Sequence, residues 1–169
     1  VAEWEEASGG YMVEGYGLTE CAPLVSCNPL NDTRRAGSIG IPFPSTDIRV
    51  VDPETLQDVP LGEEGELWVH GPQCFAGYWK REEDTQKTIT ADGWLRTGDI
   101  GSFEGAEGFL RITGRKKELI VTAGGKNVAP TQLEDRLRGH PLISQVLVVG
   151  DGEPFIAALI TLDKEMLPQ

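Results

Sequence analysis

Three short segments of this 169-residue chain combine residue types that could bind a nucleotide. The first segment, residues 15–20, reads Gly-Tyr-Gly-Leu-Thr-Glu. Glycines let a backbone approach a ligand closely, and the ring of Tyr16 offers a flat face for a base. The hydroxyl of Thr19 can donate a hydrogen bond to a phosphate, and the carboxylate of Glu20 can hold Mg²⁺. The hexapeptide alone favours a plain turn with a solvated Glu20.

The second and third segments add an acidic and a basic element. Residues 92–99 end in Arg-Thr-Gly-Asp, and the two oxygens of Asp99 could accept hydrogen bonds from both hydroxyls of a ribose. The alternative is a turn aspartate that bonds its own backbone. Residues 113–120 carry the triplet Arg115-Lys116-Lys117, and the pair Gly124-Gly125 follows. A basic triplet of this kind is commonly a solvated loop.

Several other chemistries are excluded by the sequence. It has no Gly-rich phosphate loop ending in Gly-Lys-Ser/Thr, and its two histidines, His70 and His140, have no ligand-spaced neighbours, which argues against a His/Cys metal centre. The three cysteines show no paired spacing, so reduced thiols in a cytosolic setting are expected. The net charge of −12 argues against a nucleic-acid partner.

The elements that must position these segments are predicted to be mainly short strands. Turn residues break up runs of alternating apolar and polar residues, which favours a small β-barrel or sandwich over about 36–115. Strands are predicted at 48–50, 66–70 and 109–113, a short buried strand at 11–13, a helix at 1–8, and one or two helical turns at 82–89.

The composition changes after residue 115. Residues 1–115 hold 9 basic and 20 acidic side chains, whereas residues 116–169 hold 6 and 7. Pro130 and the pattern Thr131-Gln132-Leu133-Glu134 predict a helix over 131–139 that begins with a capping box. Apolar runs at 146–149 and 155–162 predict two adjacent strands. The predicted fold is therefore α+β: a mostly-β unit followed by a small α+β unit.

The order of the segments is more informative than any one of them. The chain reads GYGLTE, GELWVHGPQCFAGYWKREEDT, DGWLRTGDIG and then FLRITGRKKELIVTAGGKNVAP. In this order they resemble the core motifs of the AMP-forming acyl-CoA synthetase family, which also includes luciferases and the adenylation domains of peptide synthetases. The resemblance extends over nearly the whole chain, and GGKNVAP and HPLISQVLVVG resemble bacterial long-chain fatty-acid–CoA ligases in particular.

The resemblance implies a role for each matching residue of the first two segments. Tyr16 would stack on adenine beside Gly17, and Thr19 would contact the AMP phosphate. Glu20 would hold Mg²⁺, and Asp99 would bind the ribose hydroxyls. In this interpretation Thr19 and Glu20 belong to the catalytic machinery, and Glu20 is the metal ligand.

The resemblance also implies a division of the chain. Residues 1–115 would be the C-terminal part of a large adenylate-binding domain, 116–117 the hinge, and 118–169 the start of a small C-terminal domain. Arg115 would reach the ribose. Lys117 would count among the catalytic residues and would occupy the hinge position, where many members have Asp. The Gly124-Gly125 loop would approach the pantetheine of coenzyme A.

The implied enzyme joins a fatty acid to coenzyme A at the expense of ATP, in the cytoplasm or peripherally at the inner membrane face. Its phosphate loop would precede Val1 and its adenylation lysine would follow Gln169, so the chain is expected to be an inactive piece of a longer protein. The residues leave two alternatives: an amino-acid-activating adenylation domain, disfavoured by GRKKELIVTAGGKNVAP, and a non-catalytic adenylate-binding module. Acyl chain length and oligomeric state are not encoded in these motifs.

Overall fold

The computed structural model describes residues 2–166, and the chain divides into two compact units, Val1–Ile112 and Thr113–Gln169. Most elements are short antiparallel strands, and the described residues contain three α-helices. The predicted α+β class is therefore confirmed. The assignment of 116–117 as a hinge remains a prediction. Within residues 2–166, every helix is too short or too polar to cross a lipid bilayer.

The first unit opens with the predicted helix α1 (Ala2–Ser8) and a three-stranded antiparallel sheet. The strands are β1 (Gly15–Gly17), β2 (Leu24–Cys27) and β3 (Ile41–Pro42), in that spatial order. The predicted buried strand at 11–13 is wrong. The N–H of Met12 donates to the Glu5 carboxylate at 2.9 Å, and the Tyr11 ring lies exposed beneath the Arg34 guanidinium, 4.2 Å away. The segment thus contacts charged side chains through its backbone and the Tyr11 ring instead of forming a buried strand.

A second sheet has the spatial order β4-β5-β6-β7, with β4 at Asp47–Val51, β5 at Gly65–His70, β6 at Leu95–Glu104 and β7 at Phe109–Arg115. Strand β5 pairs antiparallel with β4 and β6. The short helix α2 (Glu82–Thr88) lies between β5 and β6 in the chain, with acidic residues in its first turn that suit the positive end of the helix dipole. The strands predicted at 48–50, 66–70 and 109–113 and the helical turns at 82–89 are confirmed, whereas β6 was not predicted.

The two sheets of the first unit share one apolar core. Leu67 and Val69 on β5 are fully buried, and they belong to the same cluster as Val25 on β2 and Cys21. Five of the six residues of β5 are buried, so side chains on both of its faces are covered. The predicted barrel is wrong for the described residues, since β4 and β7 stand at opposite ends of an open sheet and closure would require paired edges.

The second unit contains two small antiparallel sheets and one helix. Its strands are β8 (Ile120–Val121) with β9 (Asn127–Val128), and β10 (Ile143–Val149) with β11 (Ala157–Leu162). The helix α3 (Pro130–Arg138) confirms the predicted helix to within one residue at each end. Leu137 packs against a small core that includes Val146 and Val148 of β10.

The predicted capping box at the start of α3 is wrong. The helix begins one residue earlier, with Pro130 in its first turn and Ala129 as the N-cap, so Thr131 lies inside the helix. Proline suits this position because its missing N–H would have no partner there. The carboxylate of Glu134 accepts a hydrogen bond from the Val148 N–H at 2.8 Å. It therefore joins α3 to β10, a tertiary contact that the local pattern could not show.

Candidate active site

A tight turn between β1 and β2 carries the residues of the first predicted segment. Strand β1 contains Tyr16, and a single 3-10 turn, Thr19–Cys21, follows it. The Leu18 N–H donates to the Pro23 carbonyl at 2.8 Å and closes the loop. Thr19 is exposed and Glu20 is half-buried. The turn therefore presents a hydroxyl and a carboxylate on adjacent residues, just after a strand whose middle residue, Tyr16, is buried.

Backbone packing requires glycine at position 17. A Cβ placed on this residue would overlap the carbonyl group of Pro23 and come within 3.1 Å of the Leu24 Cα. Backbone atoms cannot yield in the way that the end of a flexible side chain can, so the close approach of β1 and β2 requires glycine here. The predicted contact of Gly17 with a nucleotide remains a prediction.

Asp99 lies on a bulge in β6. Where β5 pairs with β6, Glu66 of β5 lies opposite Ile100 of β6, and Trp68 of β5 lies opposite Arg96 of β6. The three residues 97–99 of β6 therefore stand opposite the single residue Leu67 of β5. Extra residues in one strand bend it and redirect its side chains. The bulge rests on Gly98, whose φ of +74° lies in the left-handed region that glycine tolerates.

Side-chain hydrogen bonds hold this bulge in place. The Thr97 hydroxyl donates to the Leu67 carbonyl at 2.7 Å and accepts from the Asp99 N–H at 3.0 Å. The buried carboxylate of Glu66, only 3 % exposed, accepts from the Gly98 N–H at 3.1 Å. The sequence Arg-Thr-Gly-Asp therefore forms a supported bulge within a strand. A turn aspartate was the alternative interpretation of these residues, and the structure does not support it.

Tyr16 and Asp99 are brought together from positions 83 residues apart. The Tyr16 hydroxyl donates to Asp99 Oδ2 at 2.6 Å. The Tyr16 side chain is buried, with 9 % exposure. Burial, together with the hydrogen bond to the Asp99 carboxylate, raises the pKa of Tyr16 well above its usual range. The hydroxyl therefore stays protonated and acts as a fixed donor that orients Asp99.

Glu20 is held by a residue from the loop that follows β5. The Tyr78 hydroxyl donates to Glu20 Oε1 at 2.7 Å. Within residues 2–166 no hydrogen bond reaches the second oxygen, Oε2. The Phe75 N–H also donates to the Glu20 carbonyl at 2.8 Å, and the Cys74 Sγ lies 3.5 Å from the Cys21 Sγ. The loop is thus attached to the 3-10 turn through backbone and side-chain contacts.

Cys21 is a fully buried part of this junction. Burial, with a smaller contribution from the neighbouring Cys74, raises the pKa of the Cys21 thiol to about 12. Cys21 is therefore a neutral packing residue at physiological pH, because a nucleophilic cysteine requires the thiolate form. The cysteines are free, as their spacing in the sequence indicated.

The remaining predicted site residues belong to the second unit. Arg115 ends β7, and the exposed Lys117 lies in the 3-10 turn Lys116–Glu118. Gly124 and Gly125 form the exposed turn between β8 and β9, where the Gly125 N–H donates to the Thr122 carbonyl at 2.8 Å. Their predicted roles at the ribose, the hinge and coenzyme A remain predictions.

Sequence reasoning missed Tyr78, which donates to the Glu20 carboxylate, and Glu66, which holds the bulge that carries Asp99. Both lie in the quoted motif GELWVHGPQCFAGYWKREEDT, which carried the resemblance without any individual role. A buried glutamate beside a glycine bulge and a tyrosine in a loop leave no local signature, because their partners lie far away in the sequence. In the described part of the chain no cluster of three or more potential metal ligands occurs.

Two family descriptions match the chain. An AMP-binding enzyme domain matches residues 1–79, and an AMP-binding enzyme C-terminal domain matches residues 117–168. The first match includes the turn with Thr19 and Glu20, and the second includes the Gly124-Gly125 turn.

Curated relatives are long-chain-fatty-acid–CoA ligases. One from Mycobacterium bovis is 51 % identical over 94 % of this chain and 24 % of its own length. One from Escherichia coli is 50 % identical over 89 % of this chain and 26 % of its own length, and one from Yersinia pestis is 43 % identical over 100 % and 30 %. This chain therefore spans about a quarter of the length of the first two relatives.

Some solved structures of similar fold contain bound nucleotides. The ATP-bound MatB from Rhodopseudomonas palustris has a TM-score of 0.84 and 33 % identity, covering 99 % of this chain and 34 % of its own. The O-succinylbenzoate coenzyme A synthetase from Bacillus subtilis, in complex with AMP, has a TM-score of 0.81 and 29 % identity, covering 96 % and 33 %. The turn, the bulge and these matches lead to one assignment: the chain belongs to the family of AMP-binding, adenylate-forming enzymes and is similar to long-chain-fatty-acid–CoA ligases.

Proposed function

We propose that this chain is a section of an ATP-dependent, AMP-forming ligase that joins long-chain fatty acids to coenzyme A. The observation that carries this proposal is the 49–51 % identity to long-chain-fatty-acid–CoA ligases over about nine-tenths of the chain. We also propose that the enzyme is cytoplasmic and associates peripherally with the inner face of the membrane.

The Tyr16–Asp99 pair would bind the nucleoside of ATP. Asp99 would accept hydrogen bonds from the ribose hydroxyls, since a carboxylate retains acceptor sites after one oxygen has bound a tyrosine. The hydrogen bond of 2.6 Å supports this role, because it keeps the carboxylate in one orientation before substrate arrives. Tyr16 would contact adenine, with Gly17 allowing close approach.

The 3-10 turn would bind the phosphates. The exposed hydroxyl of Thr19 would donate to the α-phosphate, and Glu20 would hold Mg²⁺. A single carboxylate fits this ion, because Mg²⁺ in nucleotide sites is commonly bound by one or two carboxylates, several waters and the substrate phosphates. When bound, the ion would neutralise phosphate charge.

Residues of the second unit would act at the ribose and at the coenzyme A step. Arg115 would reach the ribose hydroxyls, and Lys117 would be the hinge between the large and small domains. The exposed turn at Gly124-Gly125 would approach the pantetheine arm, where residues without side chains permit close contact.

The proposed reaction has two halves. A carboxylate oxygen of the fatty acid attacks the α-phosphorus of ATP, the bond to pyrophosphate breaks, and acyl-adenylate forms. The thiol of coenzyme A then loses its proton and attacks the acyl carbon, and AMP leaves with the bonding electrons. Positioning of the reactants and stabilisation of developing charge would supply most of the rate enhancement.

The full-length enzyme tests this proposal. Exchange of labelled pyrophosphate into ATP should depend on palmitate, and addition of coenzyme A should yield acyl-CoA and AMP in equal amounts. Exchange that depends on amino acids would favour the adenylation-domain alternative. Nucleotide binding without any exchange would favour a non-catalytic adenylate-binding module.

A further inference from the structure

We propose that Tyr78 is a positioning residue that orients the Glu20 carboxylate toward the nucleotide phosphates. This inference rests on the proposed role of Glu20 and adds a residue to which no family motif assigned a task. Tyr78 lies 58 positions after Glu20 in the sequence, so only the fold brings the two together.

The two carboxylate oxygens of Glu20 differ in their hydrogen bonds. Oε1 accepts the Tyr78 hydroxyl proton at 2.7 Å, while Oε2 has no hydrogen bond from any residue in the range 2–166. A glutamate side chain rotates about several bonds, and one charge-assisted hydrogen bond fixes its outer torsions. Tyr78 therefore holds one oxygen and leaves the other available to a phosphate-bound cation.

Tyr78 is itself held firmly. Its ring packs edge-on against Phe75, with centroids 4.8 Å apart and an interplanar angle of 75°. The Tyr78 N–H donates to the Thr85 hydroxyl of α2 at 2.9 Å, and the Phe75 N–H donates to the Glu20 carbonyl at 2.8 Å. The hydroxyl donor and the backbone of its acceptor are thus fixed within the same short loop-to-turn junction.

The electrostatics agree with this geometry. The hydrogen bond to Glu20, followed by burial, raises the pKa of Tyr78 above its ordinary value. Tyr11 makes a similar contact at the surface, where its hydroxyl donates to Asp32 Oδ1 at 3.3 Å. Tyr11 thus offers a matched control away from the turn.

Tyr78→Phe in the full-length enzyme tests the proposal, with Tyr11→Phe as the control. We expect Tyr78→Phe to raise the Mg²⁺ concentration for half-maximal palmitate-dependent pyrophosphate exchange by about tenfold, the lower end of the loss typical of residues that orient metal ligands. Mn²⁺ binding in the presence of a non-hydrolysable ATP analogue, followed by electron paramagnetic resonance, should weaken by a similar factor. The KM for palmitate should not change, and Tyr11→Phe should match the wild type.

Glu20→Gln and the double variant of Glu20→Gln with Tyr78→Phe distinguish the role of Tyr78 from the role of Glu20. If Tyr78 acts through Glu20, Tyr78→Phe adds little to the loss caused by Glu20→Gln. A normal metal dependence in Glu20→Gln would overturn the proposed role of Glu20, and the inference with it. An impaired Glu20→Gln beside an unaltered Tyr78→Phe would overturn the inference alone. Equal weakening of metal-dependent and metal-free nucleotide binding, with a lower melting temperature, would show a merely structural Tyr78.

Discussion

Asp99→Ala in the full-length enzyme should weaken the use of ATP far more than the use of fatty acid. The variant removes the carboxylate proposed to accept the ribose hydroxyls, and hydrogen bonds to charged groups contribute about 1.5–3 kcal/mol. Because each 1.36 kcal/mol corresponds to a factor of ten, kcat/KM for ATP should fall about 10- to 100-fold. Initial rates of pyrophosphate exchange at varied ATP and varied palmitate measure both dependences.

The same variant should also destabilise the fold, and the structure shows how to separate the two effects. Without Asp99 the Tyr16 hydroxyl, on a side chain that is 9 % exposed, loses its acceptor at 2.6 Å. A buried polar group left without its partner costs about 1–3 kcal/mol. The double variant with Tyr16→Phe removes both partners and should recover most of the lost unfolding free energy.

The double variant decides between the two roles of Asp99. If Asp99 binds the ribose, the double variant regains stability in a urea titration but continues to use ATP poorly. Recovery of ATP kinetics together with stability would show that Asp99 only supports the fold. An unchanged kcat/KM for ATP in Asp99→Ala would remove the residue from the nucleotide site.

Two further predictions concern the hinge and the β1–β2 junction. Lys117→Pro should impair thioester formation more than pyrophosphate exchange, because proline fixes φ near −65° and a domain rotation needs free backbone torsions. Lys117→Gly should leave both half-reactions largely intact, and equal losses in Lys117→Pro at an unchanged melting temperature would contradict the hinge. Gly17→Ala should lower the unfolding free energy by about 1–3 kcal/mol in urea titrations, because its Cβ overlaps the Pro23 carbonyl group. A Cβ added at Gly124 would have no atom within 4 Å, so Gly124→Ala should change the unfolding free energy by less than about 0.5 kcal/mol. Equal stabilities of the two alanine variants would disprove the close approach of β1 and β2.

The sequence predicted the elements whose signals are local. Alternating residues at 48–50 and 66–70 lie in β4 and β5, since a period of two places apolar side chains on one face of a strand. Proline at position 130 and the breaks at Gly139 and Pro141 placed α3 to within a residue. The order of the motifs also identified the family, because matching several segments in sequence requires no three-dimensional information.

Long-range contacts were decided only by the tertiary structure. Strand β6 was not predicted because it contains glycines at 98 and 101, whose local preference is for turns. In the fold, pairing with β5 and the hydrogen bond to the Glu66 carboxylate accommodate the bulge in this strand. Glu134 matched a local capping pattern, yet it bonds a neighbouring strand instead.

The same division holds for the candidate site. The residue types of Tyr16, Glu20 and Asp99 indicated nucleotide chemistry from the sequence alone. Which tyrosine orients which carboxylate depends on partners 83 and 58 residues apart. Such pairs form because packing of the two sheets and the loop onto one core places them in contact, and no periodicity or spacing in the chain encodes that placement.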